Sequence, residues 1–248
     1  MYKILVLFLS TWALLSAGEI RIAVSANVSY AIKPLIEAFY KEHHETKVEV
    51  VLGSSGKLTA QIIHGAPYSL FMSANMKFPN ALYEQNLTVS KPVIYAQGAL
   101  AILSQKERNY CAEIFVLKNS DIHKIAIANP KTAPYGHAAK EALENAKLYR
   151  KLQKKFVYGE SISQTLIYAT SAADIGIIAK SSLFAPQMAQ YKEAIHWTEV
   201  DKNLYTPIDQ GMVILKYAEN NIEVKAFYDF MLSLKARTIL QSYGYNVL

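Results

Sequence analysis

The sequence predicts an α/β protein with largely parallel sheets. Three observations carry that reading. Short apolar runs alternate with stretches of helical periodicity, no repeat or low-complexity tract interrupts them, and 52% of the 248 residues are hydrophobic. Such a composition buries a sizeable core. The roughly 230 residues beyond the N-terminal leader suffice for one large or two small domains.

The leader comes first. Residues 1–18 read as a secretory signal peptide: Lys3 supplies the positive start, Ile4 to Leu15 the apolar run, and Ser16-Ala17-Gly18 the small residues before Glu19. The run is short for a membrane span. Cys111 is the single cysteine, so no intramolecular disulfide forms and no cysteine follows the leader to carry a lipid anchor. A soluble exported protein is expected. The formal charge of +6 is spread along the chain, with one dense cluster at Lys147, Arg150, Lys151, Lys154 and Lys155. That cluster reads as a solvated helix face, and nucleic acid is not an expected partner. The positive surface can still steer a small anion inward.

Ile20 to Ala26 is the first strand, followed by a helix in which Val28, Ala31, Ile32, Leu35, Ile36 and Phe39 share a face. Asn27 or Ser29 is its N-cap, and Pro34 lies early in it or kinks it. Lys47 to Leu52 is a strand that feeds a helix ending near Ile63, before Gly65 and Pro67. Ser69 to Ser73, Ala99 to Ser104 and Lys124 to Ala128 are further strands, and Tyr135 to Leu148 a helix with Ala138, Ala142, Leu143 and Ala146 inward. Ser161 to Thr170 is a helix, Ile175 to Ala179 a buried strand and Met212 to Leu215 a late strand, before a helical tail around Phe227, Phe230 and Leu234. No Pro- or Gly-rich linker divides the chain, so two lobes would be joined by ordered crossovers near 94–98 and 204–210.

The stretch GSSGKL at 53–58 admits three chemistries. A nucleotide-binding P-loop fails on spacing, because Val51 and Leu58 stand where Gly and Ser or Thr are needed. A serine acyl enzyme would use Ser54 as nucleophile with Lys57, but its companion motifs are only faintly echoed at 73–75 and 131–133. An anion cradle would use the unpaired N–H groups of a helix start, with a serine hydroxyl as a further donor. Similar junctions recur at 25–29, 133–136 and 159–163. Each is also readable as an ordinary helix cap. Together they would surround an oxyanion with neutral donors. Metal chemistry lacks support: His43 and His44 diverge by about 100° on a helix, and no second histidine completes a zinc-protease helix after His44-Glu45.

The order of these junctions resembles the periplasmic molybdate-binding proteins of ABC importers, within the type II solute-binding superfamily. The resemblance rests on IRIAVSANVSYAIKPLIEAF, GSSGKLTAQIIHGAPYSLFMSAN, ANPKTAPYGHAAKEAL, SAADIGIIAKSSL and the tail VKAFYDFMLSLKARTILQSYGY, and it spans the whole chain after the leader. It implies two α/β lobes, 19–97 plus 206–248 and 98–205, each with a mixed, mostly parallel sheet and with ligand in the cleft. By motif, it places oxyanion contacts on Asn27, Ser55, Tyr135 and Ile162, with Ala26, Ser54 and Ala179 as secondary positions. Tyr135 and Ile162 are expected to act through their backbone N–H groups. A tyrosine that donates its hydroxyl in some relatives is replaced by Ala179, and Ser69 and Asn75 stand where Asp is common.

The resemblance therefore implies an exported periplasmic carrier, monomeric and not an enzyme. It would bind molybdate, and tungstate as well, and deliver its load to a membrane permease. Molybdenum or tungsten enters only as the bound oxyanion, and no cofactor is expected. Sulfate or phosphate remains an alternative ligand, and the Ser54–Lys57 acyl enzyme an alternative of another class.

Overall fold

The computed structural model describes residues 18–247, so the expected leader lies outside the described residues apart from Gly18. The chain first lays down β1 (Glu19–Ser25), α1 (Ile32–Phe39), β2 (Lys47–Gly53), α2 (Ser55–Ile63), β3 (Leu70–Ser73), α3 (Lys77–Glu84) and β4 (Val93–Gly98). It continues with β5 (Leu100–Leu103), β6 (Ile125–Ala128), α4 (Pro134–Asn145), α5 (Tyr149–Leu152), β7 (Phe156–Gly159), α6 (Ile162–Ala169), β8 (Ile175–Ala179) and β9 (Trp197–Glu199). It closes with β10 (Ile208–Ile214), α7 (Ile222–Met231) and α8 (Leu234–Ser242).

These strands form two five-stranded sheets, β2-β1-β3-β10-β4 in lobe 1 and β7-β6-β8-β5-β9 in lobe 2. The chain passes between them after Gly98 and again before Ile208. Both sheets are mixed, as expected of the fold. The parallel share is smaller than expected. In lobe 1, β1 pairs in parallel with β2 and β3, while β10 runs antiparallel to β3 and β4. In lobe 2, β6 pairs in parallel with β7 and β8, while β5 runs antiparallel to β8 and β9. The returning strand of each lobe causes this: β10 and β5 enter straight from a crossover rather than through a helix, so nothing forces them parallel.

Local sequence explains most elements. β1 alternates over Glu19–Ile22 and is then buried continuously to Ser25, as a central strand is. Pro34 is the third residue of α1, in the first turn, where its missing N–H breaks no intrahelical bond. The expected first helix begins later than its periodicity suggests, because Ala26–Val28 forms a separate 3-10 turn at the end of β1. Four elements had no clear sequence signal. α3 carries Pro79 among polar residues, β4 includes Gln97 and Gly98, β7 is only four residues ending in Gly159, and β9 has only three.

Each lobe has its own core. In lobe 1, α1 packs on the C-terminal α7 and α8, with Phe39 edge-on to Phe227 at 5.1 Å and to Phe230 at 5.5 Å between ring centroids. Full burial of each such side chain stabilises by about 1.5–3 kcal/mol. The tail of the chain is thereby pinned to lobe 1. In lobe 2, Leu100, Ile102, Ile125, Ile127, Ile175 and Ile177 pack under Ala138, Ala142 and Leu143 of α4. These cores hold the strand ends, and so the helix starts, in fixed positions.

Candidate functional site

Four strand-to-helix junctions converge where the lobes meet. β1 leads into the Ala26–Val28 turn, β2 into α2, β6 through the loop 129–133 into α4, and β7 into α6. In a parallel arrangement, helices that follow strands start at the same sheet edge, so their N-termini gather there. A small cavity lies among them, lined from lobe 1 by Ser25, Ala26, Asn27, Gly53, Ser54, Ser55 and Ala74, and from lobe 2 by Ala133, Pro134, Tyr135 and Ile162. It leaves about 10 Å³ for the centre of a water-sized sphere. That is the scale of one water or a compact ion, and it excludes a sugar, peptide or nucleotide.

None of the lining side chains carries a formal charge. Ser25 and Ser55 hydroxyls hydrogen-bond each other, and the Ala74 N–H donates to both oxygens at 3.0 Å. Ser54 is the N-cap of α2 in extended backbone, yet its hydroxyl caps nothing and is buried without a hydrogen-bond partner. A capping serine normally accepts from the second or third N–H of its helix, so Ser54 leaves those donors free of a side-chain cap. α4 starts with Pro134 after an extended Ala133, again without a side-chain cap. α6 differs, because the Ser161 hydroxyl accepts from Gln164 N–H at 3.2 Å.

The lobes touch around this cavity. Gly56 N–H donates to Thr132 O at 2.9 Å, and the Ser163 hydroxyl donates to Ala26 O at 2.8 Å. At the rim, Lys57 Nζ lies 2.5 Å from Glu160 Oε2, an exposed pair that bridges the cleft. These contacts make the arrangement a closed one. They also dispose of the nucleophile reading of Ser54. An activated serine needs a base within hydrogen-bond reach, and the Lys57 ammonium is engaged by Glu160 while Ser54 Oγ has no partner.

Of the residues singled out in the sequence, Asn27, Ser55, Tyr135, Ile162, Ala26 and Ser54 all line the cavity. Ala179 does not. It is buried at the end of β8, and the chain runs on from it into a 3-10 turn. The Tyr135 side chain is fully buried, with its hydroxyl against Gly98 and Gln210, where a Cβ on Gly98 would fall 2.0 Å from it. Burial raises this phenol's pKa well above the ordinary tyrosine value. The Asn27 amide is turned onto Gln210 and Tyr245. Ser25 and Ala74 escaped the sequence reading as site residues. Ser25 stood within the quoted junction at 25–29, which was its only signal; Ala74 is brought in by β3 pairing alongside β1.

Other features are surface ones. Lys147, Arg150 and Lys151 of the basic cluster line an open groove with Lys140, Glu144 and Tyr149, near the end of α4 opposite its start, about 18 Å away at the helical rise. Among the described residues, no group of three His, Cys, Asp or Glu side chains is placed to hold a metal ion, and no helix is long and apolar enough to cross a membrane.

The chain matches the family model described as bacterial extracellular solute-binding protein over residues 20–246. It is 35% identical to the molybdate-binding protein of Rhodobacter capsulatus, across 93% of this chain and 89% of that one. It is 33% identical to the molybdate-binding protein of Azotobacter vinelandii, across 93% and 91%. The solved structure of an Azotobacter vinelandii periplasmic molybdate-binding protein superposes with a TM-score of 0.85 at 30% identity, covering 92% of this chain and 99% of that one.

Proposed function

This chain belongs to the bacterial extracellular solute-binding proteins, and from that premise we propose that it captures a tetrahedral oxyanion, molybdate or tungstate, between its lobes. It then hands that anion to the membrane permease of an ABC importer. The observation that carries this reading is the small cavity of neutral donors gathered from both lobes around Asn27, Ser55, Tyr135 and Ile162. A dianion held by dipoles alone needs no counter-charge and is released when the lobes part. Helix starts supply that environment, through N–H groups that lack intrahelical acceptors and through the positive end of each macrodipole.

In this reading the Ser55 hydroxyl and the Ser55 main-chain N–H hold the anion from lobe 1, together with the main chain of the Ala26–Val28 turn. The main-chain N–H groups of Tyr135 and Ile162 hold it from lobe 2. Ser55 now donates to or accepts from Ser25, and a hydroxyl rotor can turn its proton to a ligand. Four to six charge-assisted hydrogen bonds at about 1.5–3 kcal/mol each leave a tight complex after ordering costs. Ligand contacts to both lobes favour the closed state. The named relatives are binding proteins, and the chain is a carrier rather than an enzyme. We place it in the periplasm, exported by its leader, without a lipid anchor and as a monomer.

Isothermal titration of the chain lacking residues 1–18 with molybdate, tungstate and sulfate tests the proposal. Tight one-to-one binding of the first two, with none for sulfate, supports it and sets its selectivity. Silence toward all three from folded, anion-free protein overturns it; binding of sulfate alone moves the carrier to a different oxyanion.

A further inference from the structure

Asn27 is held from behind by the C-terminal end of the chain. Its Nδ2 donates to Gln210 Oε1 at 2.8 Å and to the Tyr245 hydroxyl at 2.9 Å. That hydroxyl donates in turn to the Asn27 carbonyl oxygen at 2.8 Å. The directions of these bonds are determined. Gln210 Nε2 donates to Ile208 O at 3.0 Å, which leaves Oε1 as the atom facing Asn27. Tyr245 has one proton and gives it to the carbonyl, so toward the amide it acts as an acceptor. All three residues are buried, with relative exposures of 3%, 0% and 3% for Asn27, Gln210 and Tyr245. These bonds engage both Nδ2 protons and the main-chain carbonyl of Asn27, and leave its Oδ1 buried without a partner.

The parts of this node come from far apart in the chain. Gln210 lies on β10, just after the return crossover. Tyr245 lies beyond α8, where Gly244 adopts a φ of +73°. The residue after it, Asn246, exchanges two backbone hydrogen bonds with Gln97 of β4, at 2.7 and 2.9 Å. The chain end is thus fastened to one crossover strand while its tyrosine grips a residue of the cavity wall beside the other. From lobe 2, the Ser181 hydroxyl donates to the same Asn27 carbonyl at 3.4 Å.

We infer that Tyr245 and Gln210 are positioning residues for anion binding, which fix the Ala26–Val28 turn at the cavity wall by holding both the amide and the carbonyl of Asn27. The inference rests on the oxyanion reading above. It has a direct corollary. With its Nδ2 committed to Gln210 and Tyr245, Asn27 serves the ligand through its main chain, and its side chain serves the scaffold. Tyr245 is suited to a lasting role as donor, since burial pushes its phenol up to about 12.

The test is molybdate titration of wild type, Tyr245→Phe, Gln210→Met and the double variant, with a thermal melt of each without ligand. Phe keeps the ring and removes only the hydroxyl; Met keeps the length and removes the acceptor. Each single variant is expected to bind about tenfold more weakly while fully folded at the titration temperature. Because both act on one amide, the double variant should lose less than the product of the two. A merely structural role lowers the melting temperature and leaves the Kd of the folded protein alone. That result for both single variants overturns the inference. If Tyr245→Phe does not fold, Gln210→Met decides alone by the same criterion. Wild-type protein that binds no oxyanion would instead overturn the functional reading, and this inference with it.

Discussion

On the lobe 1 wall, the cavity meets hydroxyls and a buried amide network: Ser25, Ser54 and Ser55, with Asn27 braced by Gln210 and Tyr245. On the lobe 2 wall, it meets Ala133, Pro134, Tyr135 and Ile162, whose side chains offer the cavity no free polar group. Tyr135 turns its hydroxyl away toward Gly98, and Ile162 is aliphatic. Both walls are helix starts, so both can present N–H groups. They differ in what a mutation can reach. Side-chain donors are removed by a substitution, whereas backbone donors persist under any substitution that leaves the helix start in place.

The largest expected effect therefore falls on lobe 1. Ser55→Ala should weaken molybdate binding about 10- to 100-fold, the scale of one hydrogen bond to a charged group, without changing the fold seen by circular dichroism. An unchanged titration would remove the hydroxyl from the site and make both walls alike. Lobe 2 is vulnerable through its backbone instead. A Cβ on Gly136 would sit 2.3 Å from Ala128 O and 2.7 Å from Ala128 C, main-chain atoms that cannot rotate aside. Gly136→Ala should destabilise the protein by about 1–3 kcal/mol in a denaturant melt and displace the start of α4. Wild-type stability would show that α4 has slack, and so that its N–H groups are not rigidly presented.

Smaller effects sharpen the contrast. Lys57→Ala breaks the exposed pair with Glu160, which is worth about 0–1 kcal/mol. Anion affinity should fall by at most about fivefold, with the difference from wild type shrinking as salt is added. A larger, salt-independent loss would mean that Lys57 acts on the anion itself. Ile162→Val should change affinity less than about twofold, because the backbone N–H is retained. A tenfold loss on titration would show that the aliphatic side chain shapes the cavity, and the distinction between the walls would fail.

How legible this was depended on the range of the interaction. The junctions that hold Ser55 and Ile162 were readable because a strand followed by a polar or glycine-rich helix start is a local pattern; the choice of those two residues within them came from the family resemblance. Ser25 was overlooked as a site residue for the opposite reason. Its role comes from facing Ser55, thirty residues on, through the β1–β2 pairing. Asn27 was singled out correctly as a wall residue, but nothing near it in sequence shows that its amide faces Gln210 and Tyr245, 183 and 218 residues away. Ala179, a secondary position taken from the motif, is not among the residues that line the cavity and packs in the buried cluster behind it with Tyr135 and Ile162. α3 went unread because Pro79 and the polar residues around it give little apolar signal for a helix that packs against α2 and β10.

The sequence alone determined the alternation of strands and helices and the neutrality of the residues at the junctions between them. These are properties of neighbouring residues, set by backbone preference and by the period of apolar side chains. Tertiary structure alone decided which starts share a cavity, which way each polar side chain turns, and that the chain end braces the first junction. Those outcomes depend on pairing over distances of tens to hundreds of residues, where each hydrogen bond is selected by competition among buried partners rather than by any local propensity.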